Sequence, residues 1–286
     1  MNTYNEIYLN ARRKLRAAGV AAHDLEARLL VAQAAGKTKE ELLSSSRMFV
    51  TDPTISDNVN KMIERRLKGE PVAYIVGEWE FYGLPITVNE SVLIPRVDTE
   101  LLADVAIKLI KKRGWQTRLL DLCAGSGCIG LAVAANIPNC RIVLADNSEK
   151  ALAVCRANML RNGLSRQTTA IEVDAIEPPP ALLGRFDAIV SNPPYIPTRD
   201  IEGLDKSVRD YEPKVALDGG PDGLYFIRAI ASAWSSLLKP GGNLAFECGV
   251  GQADAVRDIL TENNFKDVTG HLDTLGIERV IIGTLR

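Results

Sequence analysis

The sequence has no excess of positive charge: 34 Lys and Arg stand against 36 Asp and Glu, a formal net charge of −2. A protein that grips nucleic acid non-specifically needs a basic field, so that class of binder is disfavoured. Histidine is scarce, with only His23 and His271, and the five cysteines contain no CxxC pair. A zinc site would have to be assembled from distant parts, and no metal is expected. Cys123, Cys128, Cys140, Cys155 and Cys248 are odd in number and sit mostly in apolar runs, the pattern of reduced thiols in a cytoplasmic protein. Long apolar runs are also missing. No stretch approaches eighteen apolar residues, so no membrane span is expected, and no apolar core follows Arg12, Arg13, Lys14 and Arg16 to make a secretory signal.

What is present is a chain of 286 residues, 46% hydrophobic, enough for one large core or two smaller ones. Two domains are expected. Over residues 1–75 the punctuation is helical. Thr3 and Glu6 fit a capping box ahead of Ile7, Leu15 and Ala18; Leu25, Leu29, Leu30 and Val31 mark a second helix before Gly36; Val59, Met62, Ile63 and Leu67 mark a third after Asp52-Pro53. Residues 1–80 carry twelve Lys and Arg against eleven Asp and Glu, which suits a protein-facing or structural bundle better than a nucleic-acid reader.

From about residue 71 the pattern turns to alternation and aromatics. Trp79, Phe81 and Tyr82 before Gly83, with Leu84, Ile86 and Val88 after it, predict a hairpin that links two domains over residues 76–97. Asp98 is placed to cap a helix of roughly Thr99 to Arg113. Beyond it, strands at Arg118–Cys123, Arg141–Asp146, Ala170–Asp174, Phe186–Ser191 and Asn243–Cys248 alternate with helical segments, which implies a parallel sheet covered on both faces over residues 98–286. Two late strands, near Asp267–His271 and Glu278–Gly283, are too close for a crossover helix and should pair antiparallel at the sheet edge.

Gly125-Ser126-Gly127-Cys128-Ile129-Gly130 fits G-x-G-x-x-G between a strand and a helix, where backbone N–H groups and close approach favour a nucleoside ligand. Asp146 ends the next strand, where a carboxylate can accept both ribose hydroxyls. Asp121, just before the loop, would repel a pyrophosphate and favour a ligand bearing an ammonium and a sulfonium, which points to S-adenosylmethionine. An equal alternative is that Asp121 holds the loop through backbone hydrogen bonds. Asp174 and Ala175 would lie near the adenine, or Asp174 could simply cap its strand. At the end of the strand Phe186–Ser191, Asn192-Pro193-Pro194-Tyr195 stops the ladder and presents an amide, free carbonyls and an aromatic ring.

These residues resemble the class I S-adenosylmethionine-dependent methyltransferases that modify planar nitrogens, and most closely the glutamine N5-methyltransferases of peptide chain release factors, the HemK or PrmC type. Further matching stretches are Gly69–Ile75, Val92–Arg96, Glu212-Pro213, Ala216–Gly220, Asp222-Gly223 and Leu238–Gly242 leading to Glu247. The family often has glycine at Cys123 and Pro-Glu at Val97-Asp98. The resemblance implies a Rossmann-like α/β fold, with a mostly parallel seven-stranded sheet, an antiparallel edge strand, a helical substrate-recognition domain at the N-terminus and a hairpin linker. It implies cofactor contacts from Asp121, Cys123, Ala124, Gly125, Ser126, Gly127, Asp146, Asp174, Ala175 and Asn192. It also implies that Asn192 and the Pro193 carbonyl grip the substrate amide while Pro194 and Tyr195 complete the site. Expected partners are release factors, with no stable nucleic-acid binding, and the chain is expected to be monomeric. The same grip would suit the amino group of adenine, and a non-catalytic cofactor-binding module is a further alternative. The roles of Arg96 and Glu247 are left open.

Overall fold

A computed structural model describes residues 2–114 and 116–286, which form two compact units. Residue 1 of the expected bundle lies outside the described residues. The first unit spans residues up to Glu78 and takes in Asp205–Tyr211 as well. Its helices are α1 (Tyr4–Ala17), α2 (His23–Ala34), α3 (Lys39–Ser44), α4 (Thr54–Leu67) and α5 (Val72–Val76). The expected box at Thr3 is formed: its hydroxyl accepts from the Glu6 amide, and Glu6 accepts from the Thr3 amide at 2.7 Å. Ile7, Ala11 and Leu15 then fall on one buried face at helical spacing. A second box, Thr38 with Glu41, starts α3, an element too short to register in the apolar pattern.

In α2 the buried face differs from the expected one. Leu25 is exposed, while Glu26 is buried and pairs through both carboxylate oxygens with Arg66 of α4, at 2.6 and 3.1 Å. A carboxylate can occupy such a position only because the guanidinium meets it two-pronged. Val72–Val76 is helical rather than extended, because Pro71 fixes its own φ and its carbonyl accepts from Tyr74 and Ile75.

The second unit opens on the expected hairpin, β1 (Glu78–Phe81) and β2 (Leu84–Thr87). Tyr82 and Gly83 both have positive φ (52° and 76°), the conformation a two-residue turn needs to match the twist of its strands. Asp98 does not cap the next helix: Val97–Thr99 winds as a 3₁₀ turn that runs straight into α6 (Glu100–Lys111). The sheet comprises β3 (Arg118–Leu122), β4 (Arg141–Asp146), β5 (Thr168–Glu172), β6 (Phe186–Ser191), β7 (Leu238–Glu247), β8 (Phe265–Leu272) and β9 (Glu278–Leu285), in the order β5-β4-β3-β6-β7-β9-β8. The first five are parallel, and β9 runs antiparallel to both β7 and the edge strand β8, as the short connection required. Connecting helices are α7 (Cys128–Asn136), α8 (Glu149–Arg161), α10 (Tyr225–Ala233) and α11 (Ala253–Glu262), while α9 (Lys206–Arg209) belongs to the first unit.

The chain first builds outward from β3 through β4 to β5, then returns to place β6 on the other side of β3. Helices leave in opposite directions there, so a crevice opens beyond the carboxyl ends of β3 and β6. Register aligns Leu122 with Ser191, and the Ser191 hydroxyl donates to the Leu122 carbonyl at 2.6 Å. The glycine loop after β3 and the Asn-Pro-Pro-Tyr turn after β6 therefore leave the sheet side by side.

Candidate active site

At this crevice the second unit carries a cleft of about 880 Å³, open to solvent. One wall is the glycine loop, with Cys123, Ala124, Gly125 and Ser126 lining it. Cys123 has φ +62°, a left-handed conformation that suits glycine and costs a side-chain-bearing residue about 1 kcal/mol. The family's frequent glycine at this position has that physical reason. Gly127 lies beneath the surface: a Cβ there would stand 2.8 Å from the Cys155 sulfur.

The acidic residues divide in their roles. Asp146 lines the cleft, its Oδ2 accepting from the Gly125 amide at 2.8 Å and its Oδ1 from the Ser148 amide at 3.0 Å. Burial raises its pKa, and those backbone donors oppose the shift. Each oxygen keeps a further lone pair for a hydroxyl. Asp121 is fully buried under the loop, outside the cleft lining, and accepts from the Gly130 amide at 2.8 Å. Its Oδ1 has no hydrogen-bond partner, and burial pushes its pKa up to about 7. Of the two readings of Asp121, loop support is the one its contacts describe. Asp174 also stays off the cleft and accepts from the Ile176 amide at 3.1 Å, while Ala175 lines it.

The chemistry of this lining suits S-adenosylmethionine. Val173, Ala175, Ile129 and Phe226 give apolar surface for a flat base, Asp146 gives acceptors for a ribose, and the backbone at the start of α7 is open to close approach.

The facing wall is Asn192 with Pro194. Asn192 Nδ2 donates to the Thr99 hydroxyl at 3.2 Å, which turns Oδ1 away from Thr99. Pro193 is buried and, like Tyr195, does not line the cleft. The Tyr195 hydroxyl points to the far side, 3.4 Å from Glu247 Oε1, and accepts from Arg279 at 3.2 Å. Burial, with the Glu247 charge adding to it, pushes the Tyr195 pKa up to about 12, so the phenol stays protonated. Glu247 is buried completely, and burial lifts its pKa to about 7 against the opposing pull of Thr99, Arg279 and Tyr195.

The turn itself is clamped from behind. Ile196 exchanges backbone hydrogen bonds with Leu217 and Gly219, and Gln252 Nε2 donates to the Tyr195 carbonyl at 2.9 Å. Gly223 packs so closely that a Cβ would sit 2.3 Å from that same carbonyl oxygen. Arg96, on the cleft rim, is paired with Glu212, and Glu212 also accepts from the Ile94 amide at 3.2 Å. The Val92–Arg96 segment thus owes its position to a carboxylate 116 residues away.

Thr99, Ser148 and Arg279 were not singled out as site residues by the sequence. Thr99 looked like an ordinary first residue of a helix, and Arg279 an ordinary residue of an edge strand. Nothing in local spacing marks a contact that spans 93 residues, as that of Thr99 with Asn192 does.

Comparison with known proteins adds relatives to this geometry. The methyltransferase small domain family matches over residues 98–204, and the PrmC N-terminal domain family over residues 6–77. The chain is 43% identical over 226 residues to a release factor glutamine methyltransferase of Geobacter sulfurreducens, covering 78% of this chain and 76% of that protein. It is 37% identical over 275 residues to the protein of the same name from Caulobacter vibrioides, covering 96% and 93%. Among solved structures, the hMettl16 catalytic domain in complex with the MAT2A 3′UTR hairpin 6 matches with a TM-score of 0.57 over 79% of this chain and 82% of that one. At 16% identity, that likeness is one of fold alone. Among the described residues no helix is long and apolar enough to cross a membrane.

Proposed function

We propose, for a chain that belongs to the release factor glutamine methyltransferase family, that it moves the methyl group of S-adenosylmethionine onto the side-chain amide nitrogen, N5, of the glutamine in the Gly-Gly-Gln motif of peptide chain release factors. The observation that carries the reading is the orientation of Asn192: one hydrogen of Nδ2 goes to Thr99, and Oδ1, on the other side of the amide, is the acceptor for a substrate N–H. An amide nitrogen is a poor nucleophile because its lone pair is delocalised. In this reading Asn192 Oδ1 and the Pro193 carbonyl accept its two N–H groups, which leaves the lone pair facing the wall formed by the glycine loop. The bound cofactor supplies a sulfonium already primed to lose its methyl.

No strong base is required before transfer, and Tyr195, held protonated by burial, does not act as one. Positioning of the amide against the methyl donor supplies the rate, worth up to roughly 7–11 kcal/mol in favourable cases. The proton leaves the nitrogen afterwards. Asp146, with the glycine loop it holds, anchors the cofactor. The near-neutral helical bundle of residues 1–75 recognises the protein substrate, residues 76–97 link it, and residues 98–286 carry the reaction. The same reading has the protein act in the cytoplasm, as a monomer, without a stable hold on nucleic acid.

Incubation with labelled S-adenosylmethionine and a release factor tests this, beside a release factor whose motif glutamine is changed to alanine. Label is expected on the first and not on the second. Equal labelling of both would overturn the glutamine assignment, and labelling of DNA instead would move the acceptor to the amino group of adenine.

A further inference from the structure

We propose that Arg96 anchors the carboxylate at the methionyl end of S-adenosylmethionine, with Glu212 as the positioning residue that holds its guanidinium for that task. Among the described residues that line the cleft, Arg96 carries the one positive charge and Asp146 the one negative charge. The two stand on opposite sides of the glycine loop. Asp146 ends β4 and the loop follows β3, whereas Arg96 lies on the Asn192 side: its carbonyl accepts from the Thr99 amide at 3.1 Å, and the Thr99 hydroxyl accepts from Asn192 Nδ2 at 3.2 Å. Asn192 follows β6, two strand spacings or roughly 10 Å from the end of β4.

The cofactor has the same layout. Its ribose takes the Asp146 side, its sulfonium must face the nitrogen that Asn192 holds, and its carboxylate hangs from that sulfur on a short chain. A carboxylate that enters a cleft gives up water, and a cation with N–H groups to donate replaces what is lost. Arg96 is built to meet such an anion. Its side chain is 37% exposed, while that of Glu212 behind it is 1% exposed. Both Glu212 oxygens serve this one segment, Oε1 accepting from Arg96 Nη2 and Oε2 from the Ile94 amide at 3.2 Å. A guanidinium has five N–H donors in a rigid plane, and the contact with Glu212 uses one of them. Held at one corner, the plane keeps its other donors in a fixed direction.

The inference rests on this cleft holding S-adenosylmethionine. It is tested by calorimetry with S-adenosylmethionine and with its decarboxylated form, which keeps the sulfonium, the amine and the nucleoside. The proteins compared are the unaltered chain, Arg96→Gln, Arg96→Lys and Asn192→Ala. Arg96→Gln is expected to bind S-adenosylmethionine about tenfold or more weakly and the decarboxylated form within about twofold of the unaltered chain, as loss of one charged hydrogen-bond partner implies. Arg96→Lys should recover part of the loss, since it restores the charge without the fork. Asn192→Ala, which removes the substrate's acceptor and leaves Arg96 in place, should keep cofactor affinity within about twofold while losing methyl transfer. Equal weakening of both ligands by Arg96→Gln would show that Arg96 only braces the cleft, and would overturn the proposal. Unchanged affinity for both would overturn it too, and a raised KM for the release factor beside it would assign Arg96 to the protein substrate. Because Arg96→Gln leaves Glu212 buried without its cation, the comparison is repeated on Arg96→Gln combined with Glu212→Gln, which decides should the single variant not fold. Failure of the unaltered chain to bind S-adenosylmethionine at all would instead sink the cofactor reading itself.

Discussion

Asn158 of α8 meets the backbone of Thr87, the last residue of β2, twice: Oδ1 accepts from the Thr87 amide at 2.7 Å and Nδ2 donates to its carbonyl at 3.0 Å. The same Nδ2 donates to the Ser126 carbonyl, also at 3.0 Å. One fully buried side chain thus imitates a neighbouring strand and ties the hairpin to the glycine loop. Removing it would leave buried backbone groups without partners, which costs about 1–3 kcal/mol for each group stranded.

Asn158→Leu is accordingly expected to lower unfolding stability by about 2–4 kcal/mol and to weaken cofactor binding, because Ser126 loses its anchor. Chemical denaturation and calorimetry measure the two effects. An unchanged denaturation midpoint would show that hairpin and loop are held by other contacts.

Gly223 has φ +78°, and a Cβ there would also press on Gln252 Nε2 at 2.5 Å, the donor that holds the Tyr195 carbonyl. Gly223→Ala should push the Asn-Pro-Pro-Tyr turn out of place, slowing methyl transfer by about tenfold or more while cofactor affinity changes little, since misplacement of about 1 Å can cost 10²-fold. Stopped-time transfer assays at saturating cofactor are the measurement. Equal loss of binding and turnover would mean that the strain spreads into the glycine loop.

Asp146→Ala removes the acceptor for the Gly125 and Ser148 amides together with the cleft carboxylate. Cofactor affinity should fall by about tenfold or more, with a smaller change in turnover once cofactor is saturating, the reverse of the pattern for Asn192→Ala. Calorimetry on the two variants side by side checks the contrast.

The pKa of Asp121 is raised from 3.8 to about 7 by burial, so the native state holds its proton where the unfolded chain has lost it. Stability from this group is present below about pH 4 and lost as pH rises toward 7, by at most roughly 1.4 kcal/mol per pH unit. Asp121→Asn removes the titration, so its stability relative to wild type should improve as pH climbs from 4.5 to 7 and then level off. Urea denaturation across that range gives the difference directly. A variant whose deficit stays constant with pH would show that Asp121 does not titrate in that window.

Much of this was legible along the chain because it rests on local rules. The capping box at Thr3, the glycine turn after β3, the two prolines that stop β6 and the short link that makes β8 and β9 antiparallel each act over a few residues. Local rules also failed in identifiable places. Glu26 displaced Leu25 from the buried face because Arg66 could meet its charge, and Pro71 made a helical turn from Val72–Val76, an apolar run too short for its period to decide.

By itself, then, the sequence determined the kind of sheet, the position of the glycine loop and the presence of an amide at the end of β6. Only the tertiary structure decided what that amide can do. Asn192 reads the same in any chain; its Nδ2 meets a hydroxyl at the cleft only because the fold brings Thr99 from 93 residues away to the end of β6. A hydrogen bond is directional, and the direction is supplied by whatever the fold brings to its other end.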